Sequence, residues 1–246
     1  DDIKTIAEHR HYAGANPHGG NGRSDSVGGG HAHSGTLIYQ GGLWPEEYRG
    51  QMLMGNIHGH RVNIDTLIVK GSGYLATRHP DFLLSNDRSS LLIAIHPAPD
   101  GNVYLLDWYD KQSCHRNEPE IWDRTNGRIY KVSYGEKKKP TDLRKLSDLE
   151  LVKLQISDNQ WEVRHARRML QERGFHENDP NSVTAPAREE TERMLKSGHS
   201  PVRLRALWLT YCVHGKVNDA ELLRLMDGSS PTIRSWAVRL SNHPPA

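Results

Sequence analysis

Apolar and polar positions follow two different rhythms along this chain. From residue 36 to residue 134 the apolar side chains come in short runs, several with a period of two, separated by glycine- and proline-rich turns. Val62, Ile64, Thr66 and Ile68 alternate with Asn63, Asp65 and Leu67, the pattern of a half-buried strand. Leu91 to Ile95 runs into Pro97-Ala98-Pro99-Asp100-Gly101, whose glycine can take a left-handed turn position, and Val103 to Asp107 returns. Further strands are predicted over 36–40, 51–55, 74–77 and 127–134. Neighbours this close in sequence run antiparallel, which suits a sandwich, a barrel or a propeller blade.

Beyond Pro140 the period becomes that of a helix. Ser147-Asp148-Leu149-Glu150 has the form of a capping box, with Leu149, Val152 and Ile156 predicted on one face of the helix it starts. Val163, Ala166 and Leu170 mark a second helix that stops at Gly174. Ser200-Pro201 and Ser230-Pro231 read as N-caps followed by a proline at the first helical position, and Asn218 to Glu221 as another capping box. Helices are predicted over 147–157, 160–173, 187–197, 201–214, 219–227 and 231–241. Val163-Arg164, Val202-Arg203 and Ile233-Arg234 recur at spacings of 39 and 31 residues, each opening the second helix of a pair. The expectation is a HEAT-like α-solenoid, in which each pair buries its neighbour's apolar face. A plain helical bundle is the alternative.

Composition narrows the picture. Of 246 residues 35% are hydrophobic, and mean hydropathy is -0.73, values that suit small modular cores better than one thick core. A net charge of +2 from 32 basic and 30 acidic residues gives no broad field, so no nucleic-acid partner is expected. Lys137-Lys138-Lys139 beside Pro140 reads as a solvated linker. Cys114 and Cys212 form no CxxC or CxxCH, so neither a disulfide framework nor a haem attachment site is expected here. Residues 1–35, rich in glycine and histidine, read as a long loop over a functional surface. No signal peptide or membrane segment is found. The chain begins at Asp1 and ends on Pro244-Pro245-Ala246 after a helix, and it reads as a fragment of a longer protein. The division is therefore 1–135 β-rich, 136–146 basic linker and 147–246 helical repeats.

A run of motifs resembles a known family. Tyr39-Gln40-Gly41-Gly42, Trp44-Pro45-Glu46-Glu47-Tyr48-Arg49-Gly50 and Gly55-Asn56-Ile57-His58-Gly59-His60-Arg61-Val62 come first. Asp81-Phe82-Leu83-Leu84, Pro99-Asp100-Gly101-Asn102-Val103-Tyr104, Asp107-Trp108-Tyr109 and Gly127-Arg128-Ile129-Tyr130-Lys131-Val132 follow in the same order. Over residues 28–135 this resembles the C-terminal blades of the glucose/sorbosone dehydrogenase β-propellers. With Gly29-Gly30-His31-Ala32-His33-Ser34-Gly35 it resembles most the membrane-bound dehydrogenases of planctomycete type. Those proteins carry HEAT-like repeats after the propeller and a CxxCH haem domain after that. The resemblance implies a β plus α fold, a partial β-propeller of about two blades followed by the helical repeats. It implies a quinone-linked dehydrogenase of sugars or alcohols with PQQ as cofactor, a haem c only in the missing C-terminal part of the parent, and a periplasmic location. Where the family carries an Arg-Pro pair before the Leu91 strand, this chain has Ser89-Ser90. Two blades without the rest of a ring leave open edges, so this half is expected to need the remaining blades for stability.

Ten of the 15 histidines precede residue 116. His31 and His33, like His58 and His60, are spaced to point two imidazoles to one side of an extended segment. No carboxylate or cysteine stands at ligand spacing beside them, so no metal site is expected and they read as polar residues at a channel mouth. His58 and Arg61 fall where the resemblance puts the cofactor- or substrate-facing loop; the planar fork of Arg61 suits a polycarboxylate quinone or sugar hydroxyls, the alternative being an arginine that pairs with a neighbouring blade. Asp107, Trp108, Asp110, Lys111 and His115 cluster after a strand end. Trp108 could stack on a sugar and Asp107 or Asp110 could accept a hydroxyl proton, or the cluster closes the blade. The candidate set is His31, His33, Asp107 and Asp110 for chemistry, with His58, Arg61, Trp108 and Lys111 for cofactor. The rival reading is a non-catalytic propeller and HEAT scaffold that binds a protein or a polysaccharide.

Overall fold

The computed structural model describes residues 32–111, 123–136, 139–174, 182–228 and 230–242. It is a β plus α protein of two compact units, Asp1–Lys139 and Pro140–Ala246.

The first unit holds two open antiparallel sheets. In one, β1 (His33–Ile38), β2 (Met52–Asn56), β3 (Arg61–Lys70) and β4 (Gly73–Arg78) form a four-strand meander, and the short β5 (Leu83–Leu84) also pairs β3. In the other, β6 (Leu92–Pro97), β7 (Val103–Asp107) and β8 (Arg128–Val132) follow one another. The first strands of the two sheets touch. A Cβ on Gly35 of β1 would fall against Ala94 and 2.6 Å from the Ile95 nitrogen, so only glycine, which also takes φ +62° here, permits the approach. Leu53, Val62, Leu92, Ile95, Val103 and Leu105 fill the core between them.

The alternation predicted for β3 holds for only part of it. Residues 61–65 are buried on both faces, polar Asn63 and Asp65 included, and the strand becomes exposed toward Lys70. Its first half lies between β2 and β5, with a polar layer on the face away from the core.

An aromatic cluster ties the sheets at one end. Tyr39 stacks on Trp44 and Trp44 on Phe82, at 4.4 and 5.2 Å between centroids. The Tyr39 hydroxyl donates to the Gly101 carbonyl at 2.8 Å and accepts from the Trp44 amide at 2.8 Å. Trp44 Nε1 donates to Asn102 Oδ1 at 3.1 Å. Asp100, in the same turn, is paired with Lys131 of β8.

In the second unit α1 (Asp148–Lys153) and α2 (Gln160–Arg173), α3 (Ala185–Leu195) and α4 (Ser200–His214), and α5 (Asp219–Met226) and α6 (Pro231–Ser241) pack as consecutive pairs. α1 also meets α3, α2 meets α4, and α4 meets α6. Ser147 forms the predicted capping box with Glu150, and Ser230 caps α6 through the Ile233 amide. Within the stretch read as linker, Asp142 caps a 3-10 turn that delivers Leu143 into the helical core.

Three local expectations are corrected. α1 ends at Lys153 and a 3-10 turn follows, so Leu151 and Val152 are buried while Ile156 is left 61% exposed. His199, not Ser200, is the N-cap residue of α4. Asn218 caps α5 through the Ala220 amide, but Glu221 turns forward to Arg224 instead of back to the cap. No helix among the described residues is long and apolar enough to cross a membrane.

Candidate functional site

Strand register lines up the polar residues of the first unit at one end of both sheets. His33 lies opposite Asn56, and Asn56 opposite Arg61, across β1, β2 and β3. In the second sheet Asp107 lies opposite Leu92 and Arg128. Ser34 Oγ donates to the Leu92 carbonyl at 3.1 Å, so the two rows sit side by side.

Hydrogen bonds join the first row. Asn56 Nδ2 donates to Asn63 Oδ1 at 2.9 Å and to His33 Nε2 at 3.3 Å, while Asn56 Oδ1 accepts from the Gly59 amide at 2.7 Å. His33 Nε2 is thus an acceptor, which fixes the proton of its neutral ring on Nδ1. Asn63 Nδ2 donates to Asp81 Oδ1 at 2.7 Å. Arg61, 5% exposed, donates through Nε to the Gly59 carbonyl at 2.8 Å and through Nη1 to Asp81 Oδ2 at 2.7 Å. His58 lies half-buried in the turn between β2 and β3.

A second network joins the rows. His60 Nδ1 contacts the Ser90 carbonyl at 2.9 Å, and since a carbonyl can only accept, Nδ1 carries the proton. Ser90 Oγ donates to Asp107 Oδ2 at 2.8 Å. Asp107 Oδ1 accepts from the Leu91 and Tyr109 amides at 2.7 and 2.8 Å. Asp107 is 4% exposed, and three donors meet its carboxylate. Asp110 is 2% exposed and accepts from the Asp123 amide at 3.3 Å. Trp108 is 47% exposed, and Lys111 is exposed. His31 and His115 lie outside the described residues.

Four non-glycine residues among those described take left-handed backbone, all in this unit: Ala32 at φ 60°, His60 at φ 51°, Asn86 at φ 53° and Tyr109 at φ 55°. Such conformations persist only where surrounding bonds enforce them. Here the His60 carbonyl accepts from Ser85 Oγ at 2.8 Å, and the Asp110 amide donates to the Ser89 carbonyl at 2.9 Å. The Tyr109 ring lies under the Arg128 guanidinium, 3.4 Å from the centroid. Asp87 is held below the usual carboxylate range, first by the Ser89 amide and then by the Tyr109 hydroxyl. The Asp87–Tyr109–Arg128 grouping was not found by sequence reasoning; the strand-end positions of Tyr109 and Arg128 were its only signal.

A family model described as a domain of unknown function (DUF7133) matches residues 3–136. The chain belongs to that family. The matched DUF7133 region thus takes in both sheets, both networks and the aromatic cluster. No curated protein and no solved structure matches the chain. Among the described residues of the DUF7133 region and of the helices after it, no group of three or more histidine, cysteine, aspartate or glutamate side chains could hold a metal ion.

Proposed function

We propose that this chain is a binding scaffold, propeller-type sheets followed by a HEAT-type stack of helix pairs, which holds a protein or polysaccharide partner and performs no chemistry on it. The observation that carries this reading is the state of Asp107, whose carboxylate is 4% exposed and already accepts from Ser90 Oγ and two backbone amides. A general base must reach the proton it abstracts, and its lone pairs must be free to take it. Arg61 is likewise committed, to Asp81 and to the Gly59 carbonyl. The four-strand meander β1 to β4, with its first strand seated on the first strand of the next sheet, supports the blade reading. The order of helix contacts, with Val163 and Ile233 buried near the starts of α2 and α6, supports the repeat reading.

A quinone-linked dehydrogenase of sugars or alcohols, serving a c-type haem elsewhere in a periplasmic parent, is the second reading. What favours it is the gathering of His33, His58, Arg61, Asp107 and exposed Trp108 at one end of the sheets. PQQ fits the residues poorly. A polycarboxylate needs free cations, and of the four residues assigned to it only Lys111 combines charge with exposure.

Titration of PQQ into the protein, followed by quinone absorbance and melting temperature, tests the choice alongside dye-linked oxidation of a sugar panel. The scaffold reading expects no saturable change and no turnover. Saturable binding that Lys111→Ala or Trp108→Ala abolishes would replace it with the dehydrogenase reading.

A further inference from the structure

The charges of the helical unit are sorted by helix. α4 and α6 contain no acidic residue at all, and both acids of α2 are engaged. Glu162 accepts from Ser157 Oγ at 2.7 Å and Glu172 from Arg168 Nε at 2.8 Å. The acidic residues stand on the other set: Asp148 and Glu150 on α1, Glu189, Glu190 and Glu192 on α3, Asp219 and Glu221 on α5.

A ladder of guanidinium and indole groups crosses α2, α4 and α6. The Arg167 guanidinium lies 5.0 Å from the Trp208 centroid. Trp208 meets Trp236 edge-on at 5.1 Å, and Arg239 lies 4.9 Å from the Trp236 centroid. Arg164, one turn before Arg167, is exposed, as is Arg239. Arg167 donates to Gln155 Oε1, a neutral acceptor, at 3.3 Å from Nε and 3.2 Å from Nη2. Burial pulls the Arg167 pKa below the ordinary arginine value, and the nearby Arg205 and Arg164 charges pull it the same way, against Cys212 alone. At the centre of the ladder the Trp208 indole N–H is shut off from water with no hydrogen-bond partner among the described residues.

We propose that this face of α2, α4 and α6 binds an acidic segment of a partner polypeptide, whose carboxylates pair with Arg164, Arg167 and Arg239. The inference rests on the scaffold reading and names its partner class. Guanidinium forks match carboxylates in bidentate geometry, and a partner carrying them supplies the counter-charge that α4 and α6 lack. A nucleic acid is the poorer match. Both indole rings already have a guanidinium over them, so stacking platforms for bases are taken, and a net charge of +2 gives no extended field.

The test is fluorescence anisotropy of a fluorescein-labelled oligoglutamate peptide titrated with the whole 246-residue chain. Saturable, salt-sensitive binding is expected, weakened at least about tenfold by Arg164→Glu or Arg239→Glu, as loss of a charge-assisted bond would give. Both side chains are exposed, so the melting temperature should hold. Arg193→Glu on α3 makes the same charge change on the acidic set and should leave binding intact. No saturable binding, equal weakening by Arg193→Glu, or tighter binding of a labelled oligothymidylate would each overturn the proposal. Those outcomes leave the scaffold reading standing, whereas saturable PQQ binding that Lys111→Ala or Trp108→Ala abolishes removes that reading whatever the peptide does.

Discussion

Arg61 Nη1 donates to Asp81 Oδ2 at 2.7 Å, with the two side chains only 6% and 5% exposed. A charge pair so removed from water is costly to break from one side, because the surviving charge stays buried. Arg61→Ala should therefore cost about 3–5 kcal/mol of stability, read as a lower urea midpoint. Arg61→Ala combined with Asp81→Asn should recover part of the loss, since no bare carboxylate remains. A single variant that unfolds at the parent midpoint would free Arg61 for the ligand role that the family resemblance implies.

Gly35 is where β1 comes closest to β6 in the DUF7133 region. It combines φ +62° with a site where a Cβ would meet Ala94 and lie 2.6 Å from the Ile95 nitrogen, both backbone of the other sheet. Gly35→Ala cannot be absorbed by a side-chain rotation, so it should part β1 from β6. Gly50, also at positive φ but with nothing within 4 Å of its Cβ position, is the control. Gly50→Ala should show only the conformational cost of about 1 kcal/mol, and thermal melting of the two variants separates steric from conformational strain.

Legibility followed the locality of the physics. Strands were readable because Pro99-Asp100-Gly101 and the glycines between runs punctuate them, and helices because Ser147, Gly174 and Ser230 mark their ends. Partners distant in sequence were not. Nothing in the pattern says that Arg61 will meet Asp81 or that Asp107 will be closed by Ser90, since those contacts exist only once β3 and β7 are in register. The left-handed backbone at His60, Asn86 and Tyr109 was invisible for a related reason: no glycine marks it, and tertiary bonds impose it. The motifs that carry the resemblance include packing residues. Tyr39, Trp44, Gly101 and Asn102 bond to one another, so these motif residues bear on packing more directly than on any reaction.

Acid should loosen the helical unit through Asp148. This carboxylate is 8% exposed, accepts from the Thr184 amide at 2.9 Å and is paired with Arg173. Burial alone would raise its pKa, but the Thr184 amide and the Arg173 guanidinium together hold it below the ordinary 3.8. A folded pKa below the unfolded one means that the contribution is present above the unfolded value and is lost as pH falls through the folded value. Stability measured by urea melts from pH 6 down to about pH 2 should therefore decline across that window. Asp148→Asn should be less stable at pH 6 and should show a shallower decline. An unchanged slope in the variant would assign the acid sensitivity to other carboxylates.

The two units should behave differently when separated. The core of the second unit, with Leu151, Leu170, Leu207, Leu209 and Ile233 all below 3% exposure, is filled from residues 143–240 alone. Residues 140–246 should therefore give a helical circular dichroism spectrum and one cooperative melt. The first unit exposes apolar side chains on its strands: Val69 of β3 at 71%, Tyr74 of β4 at 69% and Ile129 of β8 at 72%. β8, with a mostly exposed burial pattern, pairs only β7 among the described residues. Exposed apolar side chains on strands favour association, and residues 1–139 expressed alone should aggregate at concentrations where 140–246 stays monomeric. Light scattering and sedimentation on the two pieces decide the matter. A monomeric first piece that melts cooperatively would mean that its two sheets form a self-sufficient domain, and the blade reading would lose its support.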